Sequence, residues 1–235
     1  METLNYTKMI FSAIFGKPSS TPSTPKTRFQ PPYKKQYKDY RETNIKTLEL
    51  LCEQFCTPTY IKHICTNIYD LVNQNKFYSQ DSQFRLIVIC LYIAYKYESD
   101  DEYLITSELM PLDTSLTPEI IMRLELEVMD LIDWRISRKN SIYYIYKICS
   151  ETLTGKKFEK IVNHACTLAD LTLRMEKFLK INPKIIACTC IAFALKKFGA
   201  KHYWPKEFEK VSRVSINSIK IAELENKYNQ VISAC

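Results

Sequence analysis

The chain has 235 residues, 46% of them hydrophobic and 25% charged, with a net charge of +7. That length suits one large domain or two modest ones with real cores, and the balance is that of a globular protein. Only three glycines occur (Gly16, Gly155, Gly199), and no run of alternating β-branched residues, which argues against sheets and Gly-rich phosphate loops and leaves an all-helical chain.

The first 40 residues read as a flexible basic tail. Residues 1–44 hold eight Lys/Arg against Glu2, Asp39 and Glu42, a net of +5, so the remaining 191 residues carry only +2. A nearly neutral body does not supply the clustered cations that a nucleic-acid groove needs. "NYTKMIFSAIF" reads as a short amphipathic helix without a cleavage site, and "GKPSSTPSTPKTRFQPPYKK" (16–35) has almost nothing to bury. Within it Thr21 and Thr24 each precede a proline, the minimum signature of a proline-directed kinase site and equally an ordinary linker dipeptide. At its end, "KKQYKDYRE" is expected to form a short helix.

From Asn44 the spacing becomes helical. Helices are expected at 44–56 and 59–74, with Pro58 between them, then at 82–97, at 102–110 and at 117–132. The last opens with "TPEI", where Thr117 can cap and Pro118 can take the first turn. The helix at 82–97 carries ten consecutive apolar residues, Leu86 to Tyr95, too few to span a bilayer, which takes about 20. A helix apolar on every side must be wrapped by others. Lys96 follows at once, either snorkelling at a helix C-terminus or standing at an interface. The pattern then repeats, with helices expected at 140–153, 156–176, 182–198, 204–212 and 215–233. The third of these, "PKIIACTCIAFALKKFG", is again apolar throughout and again ends in lysine. Two successive five-helix units of roughly 95 residues imply a duplicated helical domain.

Nine cysteines (52, 56, 65, 90, 149, 166, 188, 190 and 235) show no pair of CxxC knuckles, and His63, His164 and His202 are scattered. Most of these thiols fall inside apolar helical runs and act there as small hydrophobes. The odd count and the missing signal peptide point to a reducing compartment, nucleus or cytoplasm. No cofactor, metal or membrane segment is expected.

At this point the residues resemble a cyclin over about 40–235. "CLYIAYKYESDD" is similar to the family's third-helix signature, an alanine-containing apolar helix ending in Lys-Tyr/Phe-Glu-Glu. "IIMRLELEVMDLIDWRI" is similar to its fifth helix, "NIYDLV" to its second with Asp70 at the buried aspartate, and "VNHACTLADLTLRMEKFLKINPKIIACTCIAFAL" to the second fold. The resemblance implies two tandem five-helix cyclin-box folds, 41–137 and 138–235, behind the tail of residues 1–40. It also implies a regulatory subunit that binds and activates a cyclin-dependent Ser/Thr protein kinase as a heterodimer, controls cell-cycle progression and has no catalysis of its own. In the family the lysine and glutamate equivalent to Lys96 and Glu125 clasp the kinase, and Ile93, Tyr97, Met129, Trp134 and Ile136 match positions of the apolar contact surface.

Departures accompany the likeness. The family's substrate-docking motif aligns with "IKTLELLC", where Ile45 and Lys46 are reasonable stand-ins. Glu49 and Cys52, however, replace the leucine and tryptophan of the apolar cleft, which argues against docking of Arg-x-Leu peptides. Ser99 stands at the second acidic position after Lys-Tyr-Glu, and the tail carries no Arg-x-x-Leu destruction box. Three other readings remain: a transcription-type cyclin, a IIB-like helical repeat protein acting in transcription, which would be expected to carry a CxxC zinc ribbon, and a scaffold that binds no kinase.

Overall fold

In the computed structural model, residues 33–76, 78–98, 112–113, 115–137 and 139–219 are described. They form eight α-helices and two 3-10 turns, with no strand among them: α1 Tyr33–Gln54, α2 Thr59–Asn75, α3 Gln80–Glu98, α4 Pro118–Leu131, α5 Ser141–Thr152, α6 Gly155–Leu173, α7 Pro183–Lys197 and α8 Lys206–Ser212. The helix expected at 102–110, the "NYTKMIFSAIF" segment and the tail of residues 1–32 lie outside the described residues.

Two apolar cores organise the molecule, each around one all-apolar helix. Nine consecutive residues of α3, Leu86 to Ala94, are buried, as are nine of α7, Ala187 to Leu195. Around α3 pack Ile45 and Leu48 of α1, Ile61, Ile64, Ile68 and Tyr69 of α2, and Ile121 and Val128 of α4. Around α7 pack Ile145 and Ile148 of α5, Ile161, Ala165 and Leu168 of α6, and Trp204 and Phe208. Each large aliphatic side chain so buried contributes about 1.5–3 kcal/mol. The chain is therefore all-helical in two tandem folds, as its apolar repeats predict.

Local chemistry sets the helix ends. Thr117 caps α4 by accepting the Ile120 N–H, and Pro118 occupies the first turn. Asn182 caps α7 by accepting the Lys184 N–H, with Pro183 next. At the far end of α7 the Ala200 N–H reaches Leu195 O and the Gly199 N–H reaches Lys196 O, a Schellman closure. It requires the left-handed backbone that Gly199 supplies at φ +76°.

Four boundaries differ from the sequence expectation. The helices expected in "KKQYKDYRE" and at 44–56 are one helix, α1, because nothing between Tyr33 and Gln54 breaks the pattern. The helix expected at 156–176 stops at Leu173, and a 3-10 turn, Glu176–Phe178, then carries Phe178 into the second core. Pro205 precedes α8, its carbonyl accepting the Phe208 and Glu209 N–H groups, so that helix begins two residues late. Where a helix was expected from residue 215, Ile216–Ser218 is a 3-10 turn and Ile219 is extended; residues 220–235 lie outside the described residues.

The two folds are joined by polar side chains. Arg41 of α1 holds Asp70 of α2 through two hydrogen bonds of 2.8 Å and donates a third, 2.7 Å, to the Leu173 carbonyl at the end of α6. Glu49 of α1 pairs with Arg174, whose Nε donates at 2.7 Å. Lys62 meets Asp170 at 2.7 Å, and buried His63 lies between Asp170, 3.0 Å from Nε2, and Ser141, 3.1 Å from Nδ1. Ser141, His63 and Asp170 are the residue types of a nucleophilic triad. Here Ser141 is buried and Asp170 also engages Lys62, so the trio is a clasp between α2 and the second fold.

The eight described cysteines are free thiols, and all except Cys56 and Cys166 are buried. Burial pushes the Cys52 and Cys188 thiols up to about 11 and those of Cys149 and Cys166 up to about 12. Cys65, Cys90 and Cys190 are raised by the same cause. Among the described residues no group of three His, Cys, Asp or Glu is placed to hold a metal ion, and no helix is long and apolar enough to cross a membrane.

Candidate functional site

Helix α3 leaves the first core at its last turn, and there it carries Lys96. The middle of α4 passes beside that turn. Lys96 Nζ lies 3.1 Å from Glu125 Oε1 and 3.4 Å from Oε2, with the side chains 36% and 20% exposed. The ammonium also stands 5.7 Å from the Tyr92 ring centroid, so an aromatic face helps to fix it. The two charges named from the sequence thus meet on one surface, 29 residues apart in the chain.

Next along α3, half-buried Tyr97 donates from its hydroxyl to the Ile136 carbonyl at 3.3 Å. This contact ties the end of α3 to the segment after α4, and Ile136 packs on the first core from there. Two residues before Ile136 stands Trp134, 39% exposed. Its indole N–H donates to Asp130 Oδ1 at 3.0 Å and its backbone N–H to Met129 O at 2.8 Å. Asp133 and Trp134 both hold left-handed backbone, φ +52° and +57°. Non-glycine residues pay about 1–3 kcal/mol for sparsely populated backbone conformations, and such residues concentrate where a side chain must be aimed.

Ile93 and Met129 are placed differently from the expectation. They are 3% and 9% exposed, on the inward faces of α3 and α4, and support the surface from beneath. The reason is position along the helix: Ile93 lies within the nine-residue run of α3 that is wrapped on every side, before the helix leaves the core. The exposed apolar group on α4 is instead Met122, 60% exposed and one turn before Glu125. Sequence reading passes over Met122 because an apolar residue in an amphipathic helix ordinarily belongs to its buried stripe.

The other glutamate of this stretch serves the fold. Glu127 accepts from Lys76 at 2.5 Å and from the Tyr78 hydroxyl at 2.6 Å. Its burial would raise the carboxyl, but these two donors outweigh it and hold it below the ordinary range. Glu125, two residues earlier, is turned toward Lys96. A cation and a carboxylate on a rigid face, with Tyr97 next to Lys96 and exposed Met122 one turn before Glu125, can grip backbone acceptors and donors of a partner while apolar neighbours exclude water.

At the aligned substrate-docking position on α1 the geometry is unlike an apolar cleft. Ile45 and Cys52 are buried in the first core, Lys46 pairs with Glu42, and the Glu49 carboxylate is occupied by Arg174.

Comparison with known proteins places both halves of the chain. The family model described as "Cyclin, N-terminal domain" matches residues 19–137, and the one described as "Cyclin, C-terminal domain" matches residues 142–229. No curated protein sequence matches the chain. Among solved structures, a viral cyclin from herpesvirus saimiri superposes with a TM-score of 0.70 at 15% identity, over 81% of this chain and 84% of that one. A chain of the yeast RNA polymerase II CTD kinase complex CTDK-1 superposes with a TM-score of 0.65 at 18% identity, over 86% of this chain and 69% of that one. At these identities the likeness is one of fold.

Proposed function

The chain belongs to the cyclin family, and from that premise we propose that it is the regulatory subunit of a cyclin-dependent Ser/Thr protein kinase, with no catalysis of its own. The observation that carries the reading is the Lys96–Glu125 pair, partly in water at the last turn of α3 and followed at once by Tyr97, which is tied to the Ile136 carbonyl. A subunit of this kind works by population shift: it contacts the kinase's active arrangement more favourably than the inactive one and so raises the active fraction. Its place of action is the nucleus or cytoplasm, where thiols such as these stay reduced.

The proposed role is control of cell-cycle progression. A transcriptional role is the second reading, and the likeness to a chain of the yeast CTD kinase complex favours it. Docking of Arg-x-Leu substrates through α1 is not part of either reading, because Glu49 is engaged by Arg174. The test is purification of kinases captured by this chain, followed by activity of the reconstituted pair. Phosphorylation of polymerase C-terminal repeats in preference to cell-cycle substrates selects the transcriptional role. Absence of any captured kinase, or phosphoryl transfer by the chain alone, overturns the proposal.

A further inference from the structure

The second fold holds a cavity of about 300 Å³ on the side of α5 where α7 begins and α8 ends. Its described lining is Tyr144, Lys147, Ile148 and Glu151 of α5, Lys184 of α7, and Val211 and Arg213. Three cations from three separate elements therefore converge on one concave space. The sole carboxylate among them leaves a net lining charge of +2. Lys147 and Glu151 stand one turn apart, yet neither they nor Lys184 and Arg213 form an ion pair.

Two of the cations are held there against local preference. Lys184 sits in the first turn of α7, a helix of 15 residues with no acidic residue in that turn, so its charge faces the positive end of the helix dipole. Arg213 has left-handed backbone at φ +56°. Its turn is fixed on both sides: the Arg213 N–H donates to Glu209 O at 2.7 Å, the Val214 N–H to Ser212 Oγ at 3.1 Å, and the buried Trp204 indole to Val214 O at 3.0 Å. An anion in the cavity relieves the first arrangement and makes use of the second.

We propose that this cavity binds a phosphate monoester. A carboxylate brings one charge and two oxygens, whereas a phosphate monoester brings nearly two charges and three strong acceptor oxygens, one for each cation. Ile148, Val211 and the Tyr144 ring leave an apolar wall for the ester's organic part. A walled cavity of this volume suits a compact terminal phosphate better than the continuous backbone of a nucleic acid, which is bound along an open groove. The site lies in the second fold, on elements other than α3 and α4, and does not rest on the kinase reading.

The test is thermal unfolding of the full chain with inorganic phosphate, against chloride at matched ionic strength. At a hundredfold excess over Kd the melting temperature is expected to rise by about 5–10 °C. Lys184→Gln and Arg213→Gly each remove a locally disfavoured feature, so both should melt no lower than the parent without phosphate while losing at least about tenfold in phosphate affinity. Lys206→Gln, at an exposed position at the start of α8, and Lys96→Ala in the first fold should keep the full shift. A phosphoserine peptide binding more tightly than inorganic phosphate assigns the ester to a protein, and equal affinity assigns it to a small metabolite. Equal phosphate shifts in parent and cavity variants would mean general solute exclusion and overturn the site, as would preference for an unphosphorylated oligonucleotide backbone.

Discussion

Lys96 and Arg41 are both paired cations, and exposure separates what their pairs do. The Lys96–Glu125 pair is open to water, and pairs of that kind contribute about 0–1 kcal/mol to folding. Lys96→Ala is therefore expected to melt almost as the parent does. If the pair clasps a kinase, the same substitution weakens binding by about 2–5 kcal/mol, mostly through faster dissociation. Glu125→Ala should act alike, and the double variant should lose less than the sum, which a double-mutant cycle on the kinase complex measures. Normal binding by both variants would reduce Lys96 to a snorkelling side chain. Arg41 is the reverse case, since it and Asp70 are nearly sealed from solvent. Arg41→Ala removes a buried counter-ion of Asp70 and its two hydrogen bonds, and urea unfolding should show a loss of about 3–5 kcal/mol.

Helix α2 meets the second fold through Lys62 and His63, so the state of Asp170 on α6 decides how firmly they are joined. Burial would raise the Asp170 carboxyl, but His63 and Lys62 outweigh it and hold it below the usual carboxylate range. With the folded value depressed, its stabilisation is complete above the unfolded value of about 3.9 and is lost as pH falls through the folded value. Stability should thus decline below about pH 4, and Asp170→Asn, costing about 1.5–3 kcal/mol at neutral pH, should flatten that decline. Urea titrations from pH 3 to 7 give the comparison. At this scale much was legible in advance. The apolar runs mark α3 and α7, and Thr117-Pro118 marks the start of α4, because a cap and a first-turn proline act within four residues. The break after Leu173 was not legible. Arg174 turns to a partner 125 residues away, and no local pattern encodes Glu49. Nor does spacing alone separate Ile93, inside the core, from Tyr97 one turn later at its edge.

As a whole, the described molecule is two cores held together by side chains drawn from both folds. Arg41 contacts both α2 and the end of α6, so loss of the junction should split a single unfolding transition into two, visible by calorimetry of an Arg41→Ala, Asp170→Asn double variant. The thiols in those cores have a consequence for how the protein meets alkali. Folded, Cys52, Cys149, Cys166 and Cys188 keep their protons to about 11 or 12; unfolded, each returns to an ordinary thiol value near 9.0. The native state binds those protons more tightly, so the stability they confer is intact below about pH 9 and drains away as pH climbs toward the folded values. Each ionising thiol takes about 1.4 kcal/mol per pH unit across that window. Unfolding at pH 10 should then discharge several protons into the buffer, seen as an unfolding enthalpy that varies with the buffer's own ionisation heat. Cys→Ala at position 188 or 149 should remove about one proton from that discharge and move the alkaline midpoint upward.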